Sequence, residues 1–320
     1  MKACVTGGSG FIGNSLIKAL VKHEVNIISV TRKKLAKNGL VDYFHVDLSE
    51  REAPLESLLH NVSCIYNCAG EIKNKKLMHA LHVDGTTRLL DEVAKKIQVF
   101  KQPIHWVQLS SCGSYGSPIK ADQSRVITED SKCNPVGEYE VTKTLADELI
   151  IDFAKKQPLF TYTILRPTAV IGESMPNNSV RALVKMVEKG LFFYVASKNS
   201  ITSYIHVDDV VDALILCGTD PRAINQVFNI SNDCELYEII EIIREKSPNI
   251  KAPFCVPEKL VRLVSFLTKP FQSMLTQSRI DALVSQTIYP STKIFNTLNF
   301  TPKHAIPEAI VEMFCKETQF

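Results

Sequence analysis

A chain of 320 residues, 45% hydrophobic and 22% charged, is long enough for one large α/β domain or a core domain with a smaller lobe. Its net charge of +3, carried by scattered basic residues, argues against a nucleic-acid surface, and no apolar run reaches the roughly 18–20 residues of a membrane span. Nine cysteines, odd in number, dispersed and without a Cys-x-x-Cys pair, read as buried thiols of a reducing, cytoplasmic compartment; disulfides and metal ligands are not expected.

The first predicted strand, Ala3-Cys4-Val5, starts at the N-terminus, so no signal peptide is expected. It runs into Thr6-Gly7-Gly8-Ser9-Gly10-Phe11-Ile12-Gly13 and then into an amphipathic stretch with Leu16, Ile17, Leu20 and Val21. Strand, glycine turn and helix in that order let a dinucleotide pyrophosphate approach bare amides at a helix N-terminus, where the helix dipole favours negative charge. Residues 26–31, 43–46, 64–68, 104–109, 161–165 and 227–230 are short, β-branched or aromatic, and bounded by turn residues, so they are expected to be strands. Cys64 and Cys68 then share one strand face. Residues 77–97 and 139–155 carry helical apolar periods between them. Repeated βα units predict a parallel sheet covered on both faces. The fold class expected is α/β: a Rossmann, doubly wound parallel sheet with a smaller, mostly helical C-terminal substrate lobe.

Two segments of this stretch carry chemistry. Leu109-Ser110-Ser111-Cys112-Gly113-Ser114-Tyr115-Gly116 follows an apolar strand, at the carboxyl end where open parallel sheets bind ligands. A serine there can hydrogen-bond a substrate hydroxyl or carbonyl; the plainer reading is a serine capping a turn. Tyr139-Glu140-Val141-Thr142-Lys143 places a tyrosine and a lysine four apart on one helix face. A nearby ammonium favours the phenolate and lowers the tyrosine pKa, which makes Tyr139 a proton donor and acceptor near neutral pH. The plainer reading is two surface side chains.

Beyond Pro167 the regularity falls. Residues 172–200 hold one helix at 180–189, residues 203–216 read as a turn into another helix, and the chain from Cys234 onward reads as helical with prolines as punctuation. Residues 1–171, with 201–232 returning to them, form the expected dinucleotide domain; 172–200 and 233–320 form the lobe. Residues 254–275, interrupted by Glu258, Lys259, Arg262 and Lys269, are expected to be an amphipathic helix packed on the protein.

The chain resembles the extended short-chain dehydrogenase/reductases, the branch that contains sugar-nucleotide epimerases, dehydratases and reductases. The resemblance rests on the Thr6–Gly13 turn, Asn67-Cys68-Ala69-Gly70, the serine and Tyr-Gly segment 110–116, the Tyr139/Lys143 pair and Leu165-Arg166-Pro167 with Ile171-Gly172. His82-Val83-Asp84-Gly85-Thr86 and Ile205-His206-Val207-Asp208-Asp209-Val210 add weaker matches. It ends near residue 232. It implies cofactor contacts at Gly7, Gly10, Phe11, Ile12 and Gly13, at Asp47 and Leu48, at Cys68, Ala69 and Gly70, and at Tyr139, Lys143 and Pro167. The family pattern selects Ser111 as the catalytic serine, assigns proton transfer to Tyr139, and gives Lys143 the ribose and the tuning of Tyr139.

Departures from the family narrow the chemistry. Val30-Thr31-Arg32-Lys33-Lys34 lacks the acidic residue that many NAD-using relatives carry at this strand end. Arg32 suits an adenine face and a 2′-phosphate, so NADP is the cofactor expected, with NAD the alternative; a solvated basic loop is the plainer account. Cys112 and Gly113 stand where sugar 4,6-dehydratases carry an Asp-Glu pair, which disfavours elimination; Cys112 is read as a small residue in a tight turn, with service as an acid the alternative. His82 replaces the usual asparagine and is given a structural role. On the substrate side, Glu173, Asn177, Asn178 and Arg181 stand where relatives contact the nucleotide-sugar diphosphate, and Tyr204 and His206 could line the cleft, although a capped helix with a solvated arginine explains Asn178 and Arg181 nearly as well. The expected function is reduction of a nucleotide-linked 4-keto sugar. A 4-epimerase, a reductase of a small carbonyl or sterol, and an inactive NADP-binding sensor or scaffold are the alternatives, and a homodimer through the Tyr139 helix is expected by analogy.

Overall fold

A computed structural model describes residues 2–56, 58–117, 123–246, 250–267 and 276–315. In chain order the first half contains β1 (Lys2–Thr6), α1 (Phe11–Lys22), β2 (Asn26–Thr31), β3 (Val41–His45), β4 (Cys64–Asn67), α2 (Lys75–His79), α3 (Gly85–Phe100) and β5 (Ile104–Leu109). There follow β6 (Arg125–Val126), α4 (Glu138–Lys156), β7 (Phe160–Pro167), β8 (Ala169–Ile171), α5 (Ser179–Glu188), β9 (Tyr194–Val195), β10 (Ile201–His206) and α6 (Val207–Thr219). The chain continues through β11 (Gln226–Ile230), β12 (Asn232–Glu235), α7 (Leu236–Glu245), β13 (Cys255–Val256), α8 (Glu258–Leu267), α9 (Gln277–Leu283), β14 (Thr287–Ile288), α10 (Thr292–Leu298) and α11 (Ile306–Cys315).

Seven strands form one parallel sheet in the order β11-β7-β5-β4-β1-β2-β3. The strand order reverses between β1 and β4, whose ends are paired at Thr6 and Asn67. That switch point is where a doubly wound sheet opens a crevice beyond its carboxyl edge. These strands are nearly continuous apolar runs because helices cover both faces. Leu16, Leu20, Val210 and Leu214 of α1 and α6 bury one face. Leu89, Val93, Ile97 and Ile150 of α3 and α4 bury the other, with Trp106 fully enclosed. Each such side chain contributes roughly 1.5–3 kcal/mol by leaving water. Residues 292–300 also lie on the α1/α6 side through Ile294, Leu298 and Phe300.

A separate core joins α5, α7 and α11 through Val180, Val184, Ile239, Ile240 and Ile310. Beside it, β12, β10 and β8 form a three-stranded sheet, with β10 antiparallel to β12 and parallel to β8. A smaller core unites Val195, Val261, Ile280 and Val284. Among the described residues no helix is long and apolar enough to cross a membrane.

Several expectations are corrected. Residues 203–206 are strand, part of β10, and not a turn. The region after Cys234 is not wholly helical, since β12 ends at Glu235 and β13 and β14 follow. The helix expected over 77–97 is broken by a π-helical turn at Ala80–Asp84. The described cysteines are free, but Cys255 is exposed and Cys68, Cys133 and Cys234 are half-buried, so they are not uniformly core thiols. The helix expected within 254–275 exists as α8, yet most of its apolar side chains face outward; residues 268–275 lie outside the described residues.

Candidate active site

The glycine turn closes the carboxyl edge at β1. Gly7 has φ +66°, and a side chain there would run into Cys68 O, 2.7 Å from its Cβ position. A side chain at Gly13 would collide with the Gly7 carbonyl, so α1 can begin directly against the turn. Gly10 N donates to Gly7 O (2.9 Å) and Asn14 N to Gly10 O (3.0 Å). The amides of Phe11, Ile12 and Gly13 therefore precede the first intrahelical bond and point out of the helix N-terminus. Gly10 caps α1 without any side-chain bond. A bare-backbone cradle under a helix N-terminus fits a pyrophosphate.

At the end of β2, Arg32 is exposed. Its carbonyl hydrogen-bonds His45 Nε2 (3.0 Å). Its positive charge reaches Asp47 and Glu71 and helps to hold both carboxyls below their ordinary values. For Asp47 burial opposes that lowering, while bonds from Ser49 N and Oγ (2.9 and 2.7 Å) reinforce it. For Glu71 the amides of Lys73, Asn74 and Ile72 do most of the work. Asp47 is half-buried and Leu48 buried.

Under the cleft the strands are tied by side chains to which the sequence motifs assign no role of their own. Thr6 Oγ1 donates to Asn67 Oδ1 (2.5 Å) and accepts from Ala69 N (3.1 Å). Asn67 Nδ2 and Trp106 Nε1 both donate to Gln108 Oε1 (2.9 and 3.0 Å). Thr6, Asn67 and Gln108 are buried. The signal that could have found them is a polar residue at or near the carboxyl end of each of three largely apolar strands, β1, β4 and β5.

Ser111 lies in the turn after β5, and Tyr139 and Lys143 lie on α4, which packs against that turn. Lys143 is buried and its ammonium donates to Leu109 O (2.5 Å), two residues before Ser111. Burial lowers its pKa against the charges of Asp147 and Cys68. Ser111 N-caps the short 3-10 turn Cys112–Tyr115, its Oγ accepting from Gly113 N (3.1 Å), so its own proton is free to donate. The first turn of α4 closes on that segment: a Cβ at Gly113 would lie 3.3 Å from Ser111 Oγ and 2.8 Å from Glu140 Cγ. Burial, then the charges of Glu140 and Asp147, push the Tyr139 phenol up to about 12. The lowering expected from Lys143 is not among these influences; its ammonium donates to the Leu109 carbonyl.

His82 lies edge-on to Tyr139, ring centroids 5.7 Å apart. Its Nε2 accepts from Glu71 N (2.9 Å), which leaves the ring proton on Nδ1 to reach Thr142 Oγ1 (2.8 Å). Thr142 in turn donates to Glu138 O (2.8 Å). Burial, assisted by the Lys143 charge, holds the imidazole down to about 3, so it is neutral and structural. The π-helical turn that places His82 there is of the kind often found at functional sites. Cys112 donates its thiol to Arg166 O (3.0 Å), and burial pushes its pKa up, which removes it as an acid.

Arg166 and Asp147 form a buried ion pair (3.0 Å) beneath this corner. Ser110 Oγ donates to Asp147 Oδ2 (2.7 Å) and Arg166 Nη1 to the Tyr115 hydroxyl (3.0 Å). Tyr115 in turn donates to Asn229 Oδ1 (2.9 Å). Ser110 is thus structural, and Tyr115 is locked into the β5, β7 and β11 side of the sheet.

The expected substrate residues lie apart from this network. Asn177 Oδ1 accepts from Ser179 N (2.8 Å) and Arg181 Nη2 donates to Glu173 O (2.8 Å), so both order the approach to α5; Asn178 caps that helix without a side-chain bond. Tyr204 is half-buried on β10, its phenol pushed up to about 12 by burial and by Cys234. Pro167 ends β7. His206, Asp208 and His304 approach one another, the two rings stacked at 4.2 Å, and Asp209 Oδ1 holds His304 Nδ1 (3.0 Å).

A family model described as the NAD dependent epimerase/dehydratase family matches residues 3–231. UDP-glucose 4-epimerase of Vibrio cholerae is 27% identical over 266 residues, 78% of this chain and 76% of that protein. The decarboxylating sterol-4-alpha-carboxylate 3-dehydrogenase of Mus musculus is 24% identical over 333 residues, 97% of this chain and 89% of that protein. Among solved structures, UDP-glucose 4-epimerase of Thermotoga maritima with UDP-glucose superposes with a TM-score of 0.74 at 20% identity, over 100% of both chains.

Proposed function

The chain belongs to the NAD dependent epimerase/dehydratase family, and we propose that within it this enzyme reduces a nucleotide-linked 4-keto sugar with NADPH. Its NAD(P)-dependent, extended short-chain dehydrogenase/reductase character follows from the family. The choice of reduction is carried by the end of β2, where exposed Arg32, with no carboxylate beside it in the sequence, suits the 2′-phosphate of an exchangeable NADPH better than a permanently held NAD. Tyr139, protonated at neutral pH, is the group that delivers a proton to the alkoxide.

A nicotinamide dinucleotide held by the glycine turn would supply the hydride. Ser111 Oγ–H donates to the ketone oxygen, its lone pair already engaged by Gly113 N. Tyr139 passes its proton to that oxygen as negative charge develops. Lys143, anchored on Leu109 O, directs its remaining protons to the ribose hydroxyls. The amides of Phe11, Ile12 and Gly13 hold the pyrophosphate, and exposed Arg32 takes the 2′-phosphate. Residues 172–200 and 233–320 serve as the substrate lobe, with Asn178 and Arg181 at the α5 N-terminus for the diphosphate and Tyr204 in the cleft wall. A dimer through α4 belongs to the same reading, and light scattering checks it.

A sterol or other carbonyl substrate is the second reading. It is favoured by the sterol relative, whose match extends through the C-terminal lobe. The test is NADPH absorbance with purified enzyme and a panel of 4-keto sugar nucleotides. One NADPH consumed per sugar reduced is the expected result. Interconversion of 4-epimers without added reductant would overturn the reductase reading in favour of an epimerase, and turnover confined to sterol carbonyls would overturn the substrate.

A further inference from the structure

Helix α8 turns only a narrow strip toward the protein. Val261 and Ser265 are buried, and Val261 completes the small core with Val195, Ile280 and Val284. Leu260, Leu263, Val264 and Leu267, spaced i, i+3, i+4, i+7, share the adjoining face and are 52, 55, 43 and 64% exposed. Phe266 and the nearby Phe254 are 70 and 68% exposed. The Phe254 carbonyl accepts from Tyr194 N (2.9 Å) and its ring stacks on Phe193 at 6.2 Å, which extends the apolar ground toward exposed Leu191. A contiguous apolar face of this kind marks an interaction surface.

The charges around it select the partner. Arg262 is shared by Glu258 and Asp281 (2.7 Å each), a triad that keeps one net negative charge. Lys259 on the helix, Lys251 beside Phe254 and Lys189 beside Leu191 are exposed and outweigh that charge and the carboxylate of Glu188. Leucines and phenylalanines bordered by lysines fit a layer that is apolar within and anionic at its surface. A second copy of this chain fits less well, because a two-fold contact through the face would gather two sets of these lysines into one interface.

We propose that the outer face of α8 seats this protein peripherally on an anionic lipid bilayer, the leucines and phenylalanines entering the acyl boundary and the lysines meeting the headgroups. Ten residues of helix are about 15 Å long, half a hydrocarbon core, so α8 lies in the interface and does not span. The proposal stands on α8 and its surroundings and is independent of the reaction assigned to the cleft.

Sedimentation of the full chain with vesicles tests it. Vesicles of phosphatidylcholine containing phosphatidylglycerol should bind at least about 10-fold more protein than phosphatidylcholine alone, and added salt should weaken the binding. The double variant Leu263→Asp with Leu267→Asp should lose about 10-fold or more of that binding. It should keep its NADPH affinity and its circular dichroism, since neither side chain is in a core. Failure to bind vesicles, or equal binding to neutral vesicles, would overturn the proposal. A dimer in analytical ultracentrifugation that the double variant dissolves, with no vesicle binding, would assign the face to a second copy instead.

Discussion

The carboxyl edge of the central sheet and the outer surface of the C-terminal lobe treat their side chains in opposite ways. Below the cleft, polar and charged groups are buried and almost every one is paired: Thr6 with Asn67, Lys143 with Leu109 O, Arg166 with Asp147. On α8, large apolar groups stand in solvent. Buried polar groups tolerate little change, because each lost partner strands another group. Exposed apolar groups contribute little to the fold and are free to serve contacts outside it. Variants in the first region should therefore change chemistry and stability, and variants in the second should change neither.

The largest effect is expected from Lys143→Ala, which removes the buried ammonium at the β5/α4 corner. Turnover should fall roughly 10²–10⁴-fold and NADPH affinity should fall with it; assays of both quantities check this, and a fall in neither would break the contrast between the regions. Next, Asp147→Ala leaves Arg166 as an unpaired buried cation. A loss of about 3–5 kcal/mol in urea unfolding is expected, and a loss within that of a surface substitution would show the ion pair to be idle. Arg32→Ala should raise the NADPH dissociation constant about 10-fold or more and leave NADH nearly unchanged, since a charge-assisted bond to phosphate is worth about 1.5–3 kcal/mol.

A smaller effect depends on pH. His82 is held down at about 3 against an ordinary 6.5, so its contribution is complete above pH 6.5 and is lost as pH falls toward 3. Its share of the slope is about 1.4 kcal/mol per pH unit in that window. Replacing it by asparagine, the residue usual in the family, should remove that share from an acid-denaturation series. Smallest, Arg181→Ala should raise the substrate KM several-fold at unchanged kcat, as expected of a group that binds ground and transition states alike.

The sheet was legible because its strands are short apolar runs between turns, and the cofactor end because glycine spacing dictates backbone shape there. Tyr139 and Lys143 were legible because a four-residue helical spacing fixes a shared face. Other features left no mark of that kind. The π-helical turn that buries His82 has no compositional signature. Arg166 and Asp147 are distant in sequence and meet only because β7 packs against α4. Thr202, Ser203 and His206 interrupt the apolar pattern of β10 because its sheet is only half-buried, and this made a strand look like a turn. The raised Tyr139 phenol depends on burial and on where Glu140 and Asp147 point, which helical spacing leaves open.

The central claim is that Tyr139 is the proton donor of a site whose cofactor grip lies elsewhere. Tyr139→Phe, which removes one hydroxyl, tests it most directly when NADPH binding and NADPH oxidation are measured on the same preparation. The account predicts a dissociation constant changed less than about 3-fold and turnover reduced at least about 100-fold. Turnover close to that of the unaltered enzyme would contradict it.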